Sequence, residues 1–383
     1  MAHVAIMIRI IPSENRNMYF RMIQDSDTTF KVEMGRVGAA PYVRYYPLSV
    51  WDEMYQKKIS EGYQDKTTLM DVRSSNTYKE IEDDSVRELI SFLQQESSMA
   101  IKSNYSVSVS EVSPQMITQA EDNPRKDNSL LEQLFALLPR KMKNVADYLL
   151  PADAEPEQIQ NVIDRETDLL RMMETQMQAL PSNDSKEKTL LEEWNLSITP
   201  VNNEKELRQI KRHMGHSADC FSKAFRVKNS NRDNAFWNYY DKHNYHKEDI
   251  HYWYHGSRNM NCLSILHNGL ILNPKAPKVG HMFGYGIYLA PKAKKSIGYT
   301  SLNGSFWVHG TSDTAYLFVM KTVYKSPYHV YTWTSGMKSL TKSRISPHDA
   351  VFAHAGTSLR NDEVVIFDDA QVTLQYIIEL KQQ

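Results

Sequence analysis

One stretch decides the fold of this chain: Tyr254–Ser301, which reads YHGSRNMNCLSILHNGLILNPKAPKVGHMFGYGIYLAPKAKKSIGYTS. It contains a His-Gly-Ser at 255–257, a Gly-Ile-Tyr at 286–288 and a Ser-Ile-Gly-Tyr at 296–299. The short apolar and aromatic pieces, broken by glycine and proline, predict short strands joined by tight turns. A second segment, Asp362–Asp368 (DEVVIFD), predicts a buried strand with carboxylates at its ends.

Around this stretch, residues 182–383 form a mixed region that begins after the polar linker 181–185. A helix is predicted at Asn203–His213 and a final strand at Gln371–Leu380. The region is therefore expected to be a separate α+β domain.

The two preceding regions differ in pattern. Residues 1–80 predict strands at Ala5–Ile11, Met18–Ile23 and Thr29–Val37, followed by a helix over Ser49–Glu61 that Ser49 caps and Gly62 ends. Residues 82–180 are predicted to be helical. The helical periodicity lies in Ser85–Glu96, in a segment around Leu130–Leu138 and in Pro156–Leu180, where the Met172–Met177 cluster is expected to be helix core.

Composition narrows the class of protein. The chain has 383 residues, with 45 basic and 46 acidic side chains, so nucleic-acid binding would need a local patch. Its two cysteines exclude a disulfide scaffold and favour a reducing compartment. We expect the apolar N-terminal run to be a buried strand, neither a leader nor a membrane span, and we expect a soluble intracellular protein.

The motifs of residues 186–380, taken in order, resemble the catalytic domain of the poly(ADP-ribose) polymerases. Taken singly, a histidine, a Gly-x-Tyr or a strand-end glutamate is usually structural. The resemblance implies a split antiparallel β-sandwich that holds NAD⁺, as a consumed substrate, in a cleft between sheets, with no metal. It also implies the catalytic set His255, Tyr288 and Glu363.

The chemistry expected of such a site assigns a role to each residue type. Glu363 would hold a ribose hydroxyl, favour the oxocarbenium-like transition state and polarise the acceptor. The backbone of Gly256 would approach the nicotinamide carboxamide, where a Cβ would intrude. The expected NAD⁺ contacts are His255, Gly256, Ser257, Ser264, Tyr288, Lys295, Ser296 and Tyr299.

The chain departs from the resembled pattern at the adenine end. Ile271 and Ser264 stand where many members have Arg and Gly, and the loop 273–279 is one residue shorter than expected. Met282 and Lys295 match positions near the acceptor site and favour chain elongation over single transfer.

The first region resembles a WGR domain, a module that binds nucleic-acid breaks. Phe30–Gly38 reads FKVEMGRVG, in which Met34 replaces the Trp of the family signature. The resemblance implies binding to DNA strand breaks through Arg36, helped by Arg21, Lys31 and Arg44. The alternative is that these charges only solvate a small sheet.

The second region resembles the helical regulatory domain of the same family. The resemblance implies an all-α bundle that blocks the NAD⁺ cleft until DNA loosens it. The region is shorter than is usual for that domain, and its connections at 121–129 and 152–157 are polar. If this shortened domain packs less well, higher basal activity without DNA is expected. A plain helical spacer is the alternative.

Together these observations predict three domains: 1–80 (WGR-like), 82–180 (helical) and 182–383 (ADP-ribosyltransferase). The predicted function is protein poly-ADP-ribosylation activated by DNA breaks, with the protein itself among the acceptors. A mono-ADP-ribosyltransferase and a DNA-binding adaptor with weak NAD⁺ turnover remain as alternatives. The expected location is nuclear, or the nucleoid or cytoplasm if the protein is prokaryotic or viral.

Overall fold

A computed structural model describes residues 3–67, 77–105, 128–181, 187–272 and 282–382. The chain divides into two compact units. The described residues of unit 1 are 3–67, 98–105 and 128–180, and those of unit 2 are 77–97, 181, 187–272 and 282–382. The predicted first region and most of the predicted helical region thus fall within unit 1.

Unit 1 begins with a five-stranded antiparallel sheet in the order β4-β3-β2-β1-β5. Its elements are β1 (Val4–Ile11), β2 (Arg16–Gln24), β3 (Thr29–Arg36), β4 (Tyr42–Pro47), helix α1 (Trp51–Ser60) and β5 (Gln64–Asp65). The core of this sheet includes Met7, Phe20 and Phe30, and Trp51 of α1 packs edge-on against Phe30 with ring centroids 4.9 Å apart. The three predicted strands are therefore confirmed.

The predicted cap of α1 is wrong. A 3₁₀ turn at Leu48–Val50 precedes the helix, which begins at Trp51 without a side-chain cap. Ser49 lies inside that turn, so its hydroxyl cannot serve the first helical amides. Gly62 follows the helix with a φ of +89°, a conformation that favours glycine.

Three helices have the predicted periodicity: α2 (Asp84–Asn104), α3 (Asn128–Leu137) and α4 (Pro156–Gln178). Residues 84–97 of α2 belong to unit 2 and residues 98–104 to unit 1. The side chains of Met172, Met173 and Met177 are buried, which confirms the Met172–Met177 cluster as helix core.

An ion pair lies in the core of unit 1. Arg140 Nη1 is 2.7 Å from Glu166 Oε2, and both side chains are almost completely buried. Arg140 also donates to Tyr105 and to Asn104, at the end of α2. Its main-chain carbonyl accepts a hydrogen bond of 2.7 Å from Asn17 on β2, which fixes the segment after α3 to the sheet.

Unit 2 contains two further sheets, with strand orders β6-β7-β14-β10-β8 and β11-β12-β13-β9. Its strands are β6 (Leu196–Pro200), β7 (Phe221–Asn229), β8 (Ile250–Gly256), β9 (Ile287–Leu289), β10 (Thr314–Val323), β11 (Pro327–Val330), β12 (Ala350–Ala353), β13 (Glu363–Ile366) and β14 (Val372–Lys381). Its helices after α2 are α5 (Leu190–Glu193), α6 (Glu204–Met214), α7 (Ser230–Lys242), α8 (Asn259–Asn268), α9 (Ala293–Ile297) and α10 (Lys342–Ile345).

The larger sheet of unit 2 is antiparallel, and the last strand of the chain, β14, lies in its middle between β7 and β10. The smaller sheet differs from the antiparallel expectation because β11 and β12 pair in parallel. Asn203 caps α6 by accepting from the amides of Lys205 and Glu206, so the predicted helix at Asn203–His213 is confirmed. The observed architecture is mixed α and β with several sheets, as predicted.

Candidate active site

Main-chain hydrogen bonds join the two sheets of unit 2 at Tyr254, the residue before the predicted catalytic His255. Tyr254 of β8 and Ala290, just after β9, exchange two main-chain hydrogen bonds of 2.9 Å each. Because β8 and β9 are the edge strands of their sheets, the sheets meet edge to edge here. His255 therefore follows directly on the junction.

The tautomer of His255 can be derived from its contacts. Its Nδ1 lies 3.1 Å from the main-chain carbonyl oxygen of Tyr288, an atom that can only accept. Nδ1 therefore carries the proton, and Nε2 keeps a lone pair with which to accept from a hydroxyl group. Burial lowers the pKa of His255, which keeps the ring neutral.

Strand register brings Tyr288 and Glu363 to one face. Val365 of β13 pairs with Tyr288 of β9, and Glu363 lies two residues from Val365 on the same strand. Side chains two apart share a face, and diagonal neighbours on adjacent strands lie within reach of long side chains. The imidazole, the phenol ring and the carboxylate are thus held within one small region.

The hydroxyl of Tyr288 is held by the loop before β9. It donates to the carbonyl of Gly284 at 2.7 Å and accepts from the amide of Phe283 at 3.0 Å. Burial, with a smaller effect of the Glu363 charge, raises the pKa of Tyr288. The hydroxyl therefore stays protonated, and the fixed ring can serve as a wall for a planar ligand.

Glu363 is buried, with 8% of its surface exposed, and its partner is Lys295 of α9, which forms an ion pair with it. Burial raises the pKa of Tyr299 to about 12, and the charge of Glu363 adds to that shift. The same charge acts on Tyr288, so the carboxylate lies near both tyrosines. A buried carboxylate beside two phenols is suited to interact with a substrate hydroxyl and a developing cation.

Gly256 and Ser296 face each other across β8 and α9. A Cβ on Gly256 would lie 1.7 Å from the carbonyl oxygen of Ser296, so the protein's own packing already requires glycine here. The Ser296 hydroxyl donates to the carbonyl of Tyr254 at 3.0 Å. Because its proton is engaged in this bond, the Ser296 hydroxyl oxygen can only accept further hydrogen bonds, which suits the NH₂ group of a carboxamide.

Two other predicted NAD⁺ contacts, Ser257 and Ser264, make hydrogen bonds to residues four positions further along the chain. The hydroxyl of Ser257 accepts from Asn261 at 3.2 Å. Ser264 is buried on α8, and its hydroxyl accepts from Asn268 at 3.3 Å. Helix α8 holds both bonding partners, so these two serines are tied locally, and no described contact joins them to Glu363. The loop 273–279 lies outside the described residues.

Met282, the predicted acceptor-site residue, packs in a cluster with Phe283, Tyr288 and Trp333. Its main-chain carbonyl accepts from the Trp333 indole at 2.7 Å. Met282 is therefore near Tyr288, and Lys295 forms its ion pair with Glu363.

Sequence reasoning missed an aromatic pair beside Tyr299. Trp307 stacks on Tyr299, with ring centroids 5.8 Å apart and an interplanar angle of 17°. Its amide donates to the carbonyl of Gly298, and Phe306 packs edge-on against its ring. Both rings are more than half exposed. The signal in the sequence was a Phe-Trp pair in a glycine-bounded loop, 304–310.

The predicted DNA contact Arg36 is engaged within unit 1. Its guanidinium donates to Asn15 Oδ1, to the main-chain carbonyl of Asn15, and to the carbonyls of Met142 and Lys143, at distances of 2.6–3.0 Å. This placement favours a structural role for Arg36 over the predicted phosphate contact, because four of its five N–H donors already make hydrogen bonds within unit 1.

The three predicted helpers of Arg36 are divided between the faces of the sheet. Arg21 pairs with Glu33, and Lys31 of the same face forms a 2.7 Å ion pair with Glu33. Arg44 pairs with the core residue Val32 and therefore belongs to the opposite face, where it donates to Tyr42. A single basic patch of all four residues does not form.

Two negative findings apply to the described residues only. Within the ranges that the structure describes, no group of three or more His, Cys, Asp or Glu side chains could hold a metal ion. No helix in the same ranges has both the length and the apolar character that a membrane span needs.

Comparison with known proteins fits this geometry. The family described as "Poly(ADP-ribose) polymerase catalytic domain" matches residues 204–382. The chain is 28% identical over 194 residues to "Uncharacterized protein 101L" of Invertebrate iridescent virus 6, covering 48% of this chain and 81% of that protein. It is 31% identical over 147 residues to the poly [ADP-ribose] polymerase of Drosophila melanogaster, covering 33% of this chain and 15% of that protein.

A third relative is poly [ADP-ribose] polymerase 1 of Gallus gallus, 31% identical over 153 residues, covering 33% of this chain and 14% of that protein. The match thus spans only a small part of the length of the animal polymerases. It falls on the unit that carries His255, Tyr288 and Glu363. Residues 204–382 therefore match the poly(ADP-ribose) polymerase catalytic domain, which indicates an NAD⁺ ADP-ribosyltransferase.

Proposed function

We propose that this chain transfers ADP-ribose from NAD⁺ to protein side chains, its own included, and builds polymer in response to DNA breaks. One observation carries the catalytic part of the proposal. His255, Tyr288 and Glu363 converge where the two sheets of unit 2 meet, with Lys295 and Ser296 of α9 beside them.

The proposed reaction breaks the bond between the nicotinamide nitrogen and C1′ of the ribose. The bonding electron pair leaves with nicotinamide, and C1′ acquires oxocarbenium character. The Glu363 carboxylate accepts the 2′-hydroxyl and stabilises the positive charge. An acceptor hydroxyl, polarised by Glu363, then bonds to C1′ through its oxygen, and its proton passes to water. Because catalysis depends on charge that develops late, Glu363 affects the rate more than substrate affinity.

His255 and Ser296 orient the substrate in this proposal. The neutral imidazole accepts a ribose hydroxyl at Nε2, the nitrogen opposite the Tyr288 contact. Ser296 accepts from the carboxamide NH₂, and the rings of Tyr288 and Tyr299 enclose the nicotinamide. Lys295 holds the Glu363 carboxylate in position and, with Met282, supports elongation over single transfer.

The DNA-response part of the proposal rests on the small sheet of unit 1. Arg21 and Lys31 share one face of this sheet and would supply the phosphate contacts. The sheet also bonds to the helical residues of the same unit through Arg36 and Asn17. DNA bound at the sheet could therefore loosen the helices. Such a role implies that the protein is located in the nucleus, or wherever the viral or bacterial DNA lies.

The decisive experiment measures nicotinamide release from NAD⁺ by purified protein. For Glu363→Gln we expect a loss of about 10²–10⁴-fold in kcat with little change in KM. The thermal midpoint of the variant should stay close to that of the wild type. Glu379→Gln, a buried carboxylate of the same unit on β14, is the matched control and should release nicotinamide normally.

The result that would overturn the catalytic assignment is unchanged release by a folded Glu363→Gln protein. Wild-type protein that binds DNA but releases no nicotinamide would instead point to an adaptor. Automodification with labelled NAD⁺, sized on a gel, separates polymer from single additions. Single additions would restrict the proposal to mono-ADP-ribosylation.

A further inference from the structure

Unit 2 carries a cleft of about 540 Å³ that the proposed reaction does not use. Its floor is a row of side chains across three strands, since Val319 of β10 pairs with Tyr254 of β8 on one side and with Tyr376 of β14 on the other. One face of helix α6 forms the wall. The volume lies within the range of about 300–1,000 Å³ typical of small-molecule sites.

The cleft and the candidate active site lie on opposite sides of β8. Tyr254 contributes to the cleft, whereas the next residue, His255, contributes to the catalytic cluster. Successive side chains of a strand point to opposite faces, so a ligand in the cleft would not compete directly for the catalytic pocket. The cleft is thus a separate site.

The lining of the cleft is aromatic with a few polar groups. Tyr252 and Tyr376, on the same face of the sheet as Tyr254, offer rings, and the amides of Gln209 and Gln375 offer donors and acceptors. Glu206 is the acidic group among the described lining residues. Hydrogen bonds from Tyr376 and Arg226 lower its pKa, and Arg226, at 2.6 Å, balances its charge.

No lysine or arginine is among the described residues that line the cleft. A phosphate group would therefore enter beside the Glu206 carboxylate, and the nearby Arg226, which is not among the lining residues, is already paired with that carboxylate. An uncharged planar heteroaromatic ring would instead find rings to stack on and amides for its polar edge. The lining of the cleft therefore favours a nucleobase or nucleoside over a nucleotide that carries phosphate.

The geometry points to a second ligand site in this cleft, one that binds an uncharged nucleobase or nucleoside. Occupation would be transmitted to the catalytic cluster through a short path. The carbonyl of Tyr254 accepts the Ser296 hydroxyl, and Tyr254 also bonds to Ala290, the neighbour of the lining residue Pro291. This inference does not depend on the proposed function, because its test measures binding.

The test uses adenosine and AMP as probes, titrated into the full-length protein by calorimetry. We expect adenosine to bind and AMP to bind at least about tenfold more weakly, because its phosphate meets no cation. Gln209→Trp, which fills the cleft from an exposed position on α6, should weaken adenosine binding by at least about tenfold.

Arg208→Trp is the matched control, since it adds the same bulk to the neighbouring exposed position, which does not line the cleft. It should leave adenosine binding unchanged. If Gln209→Trp does not fold, Gln375→Leu removes one of the polar partners and should weaken binding instead.

Several results would overturn the inference. These are no adenosine binding by the wild type, equal binding of adenosine and AMP, and adenosine binding that Gln209→Trp or Gln375→Leu leaves intact. Loss of binding in a folded Arg208→Trp protein would count against it equally, because bulk outside the cleft would then have the same effect.

Discussion

At the scale of single residues, the site depends on the protonation state of His255. The Nδ1 proton is committed to the Tyr288 carbonyl, and the accepting Nε2 must stay unprotonated to receive a ribose hydroxyl. Burial lowers the pKa of this imidazole below its usual 6.5. The neutral form, which is the competent one, therefore persists into mildly acidic solution.

The lowered pKa of His255 leads to a prediction for the pH dependence of the reaction. The kcat/KM for NAD⁺ should stay level as pH falls from 8 to about 6.5, and then fall by about tenfold per unit below the lowered pKa. Initial rates of nicotinamide release across this range provide the measurement. In His255→Gln the rate should drop and the acid limb attributed to this ring should vanish. An unaltered acid limb in that variant would mean that another group titrates.

A second prediction concerns Gly256. A methyl group there would collide with the Ser296 carbonyl at 1.7 Å, so Gly256→Ala must displace α9 or β8. We expect the free energy of unfolding to fall by about 3 kcal/mol, and nicotinamide release to be lost with it.

The matched control is Gly336→Ala, in the same unit, where a Cβ would meet nothing within 4 Å. Its free energy of unfolding should change by no more than about 0.5 kcal/mol. Denaturant unfolding compares the two variants. Equal stability of both would show that the helix and strand are less closely packed than the structure indicates.

At the scale of elements, the segment after α3 is fixed to the first sheet by side chains from β2 and β3. Arg36 contributes hydrogen bonds to Met142 and Lys143, and Asn17 contributes one to Arg140. We predict that Arg36→Ala lowers the free energy of unfolding of unit 1 by about 2–3 kcal/mol.

The control variant for Arg36→Ala is Arg44→Ala, which removes an exposed hydrogen bond to Tyr42. Its free energy of unfolding should change by about 0.5 kcal/mol or less. Scanning calorimetry measures both. A stable Arg36→Ala protein that has lost affinity for nicked DNA would restore the phosphate role.

Elements were the most predictable level of this structure. Periodicity identified β1, β2, β3 and the helices at 84–104, 156–178 and 204–214, because local burial patterns mark them. The cap of α1 was missed because a 3₁₀ turn precedes the helix, and turn type depends on where the neighbouring strand ends. The parallel pairing of β11 and β12 has no local signal.

At the scale of the whole molecule, long-range contacts set what sequence alone could predict. The Asn17–Arg140 hydrogen bond joins residues 123 positions apart, and contacts of this kind place the first sheet and most of the predicted helical region in one unit. The candidate site was predictable from motif order. Its Lys295–Glu363 pair and the Trp307 stack were not, because they depend on how α9 and the loop 301–313 fold back.

The regulatory prediction also belongs to this scale. We expect measurable automodification without DNA, rising when a 5′-phosphorylated nick is added, because helix opening costs little in a short helical region. Rates with labelled NAD⁺ in both conditions provide the ratio, and an intact duplex of the same sequence is the control. A ratio near one would mean that no DNA-controlled switch exists.

The central position of β14 has a genetic consequence. A premature stop codon between Ile366 and Val372 would leave every catalytic side chain encoded, yet delete the strand that β7 and β10 share. Such an allele should behave as a null through loss of protein, not through loss of chemistry. Reporter insertions in this region would need to leave codons 372–381 intact.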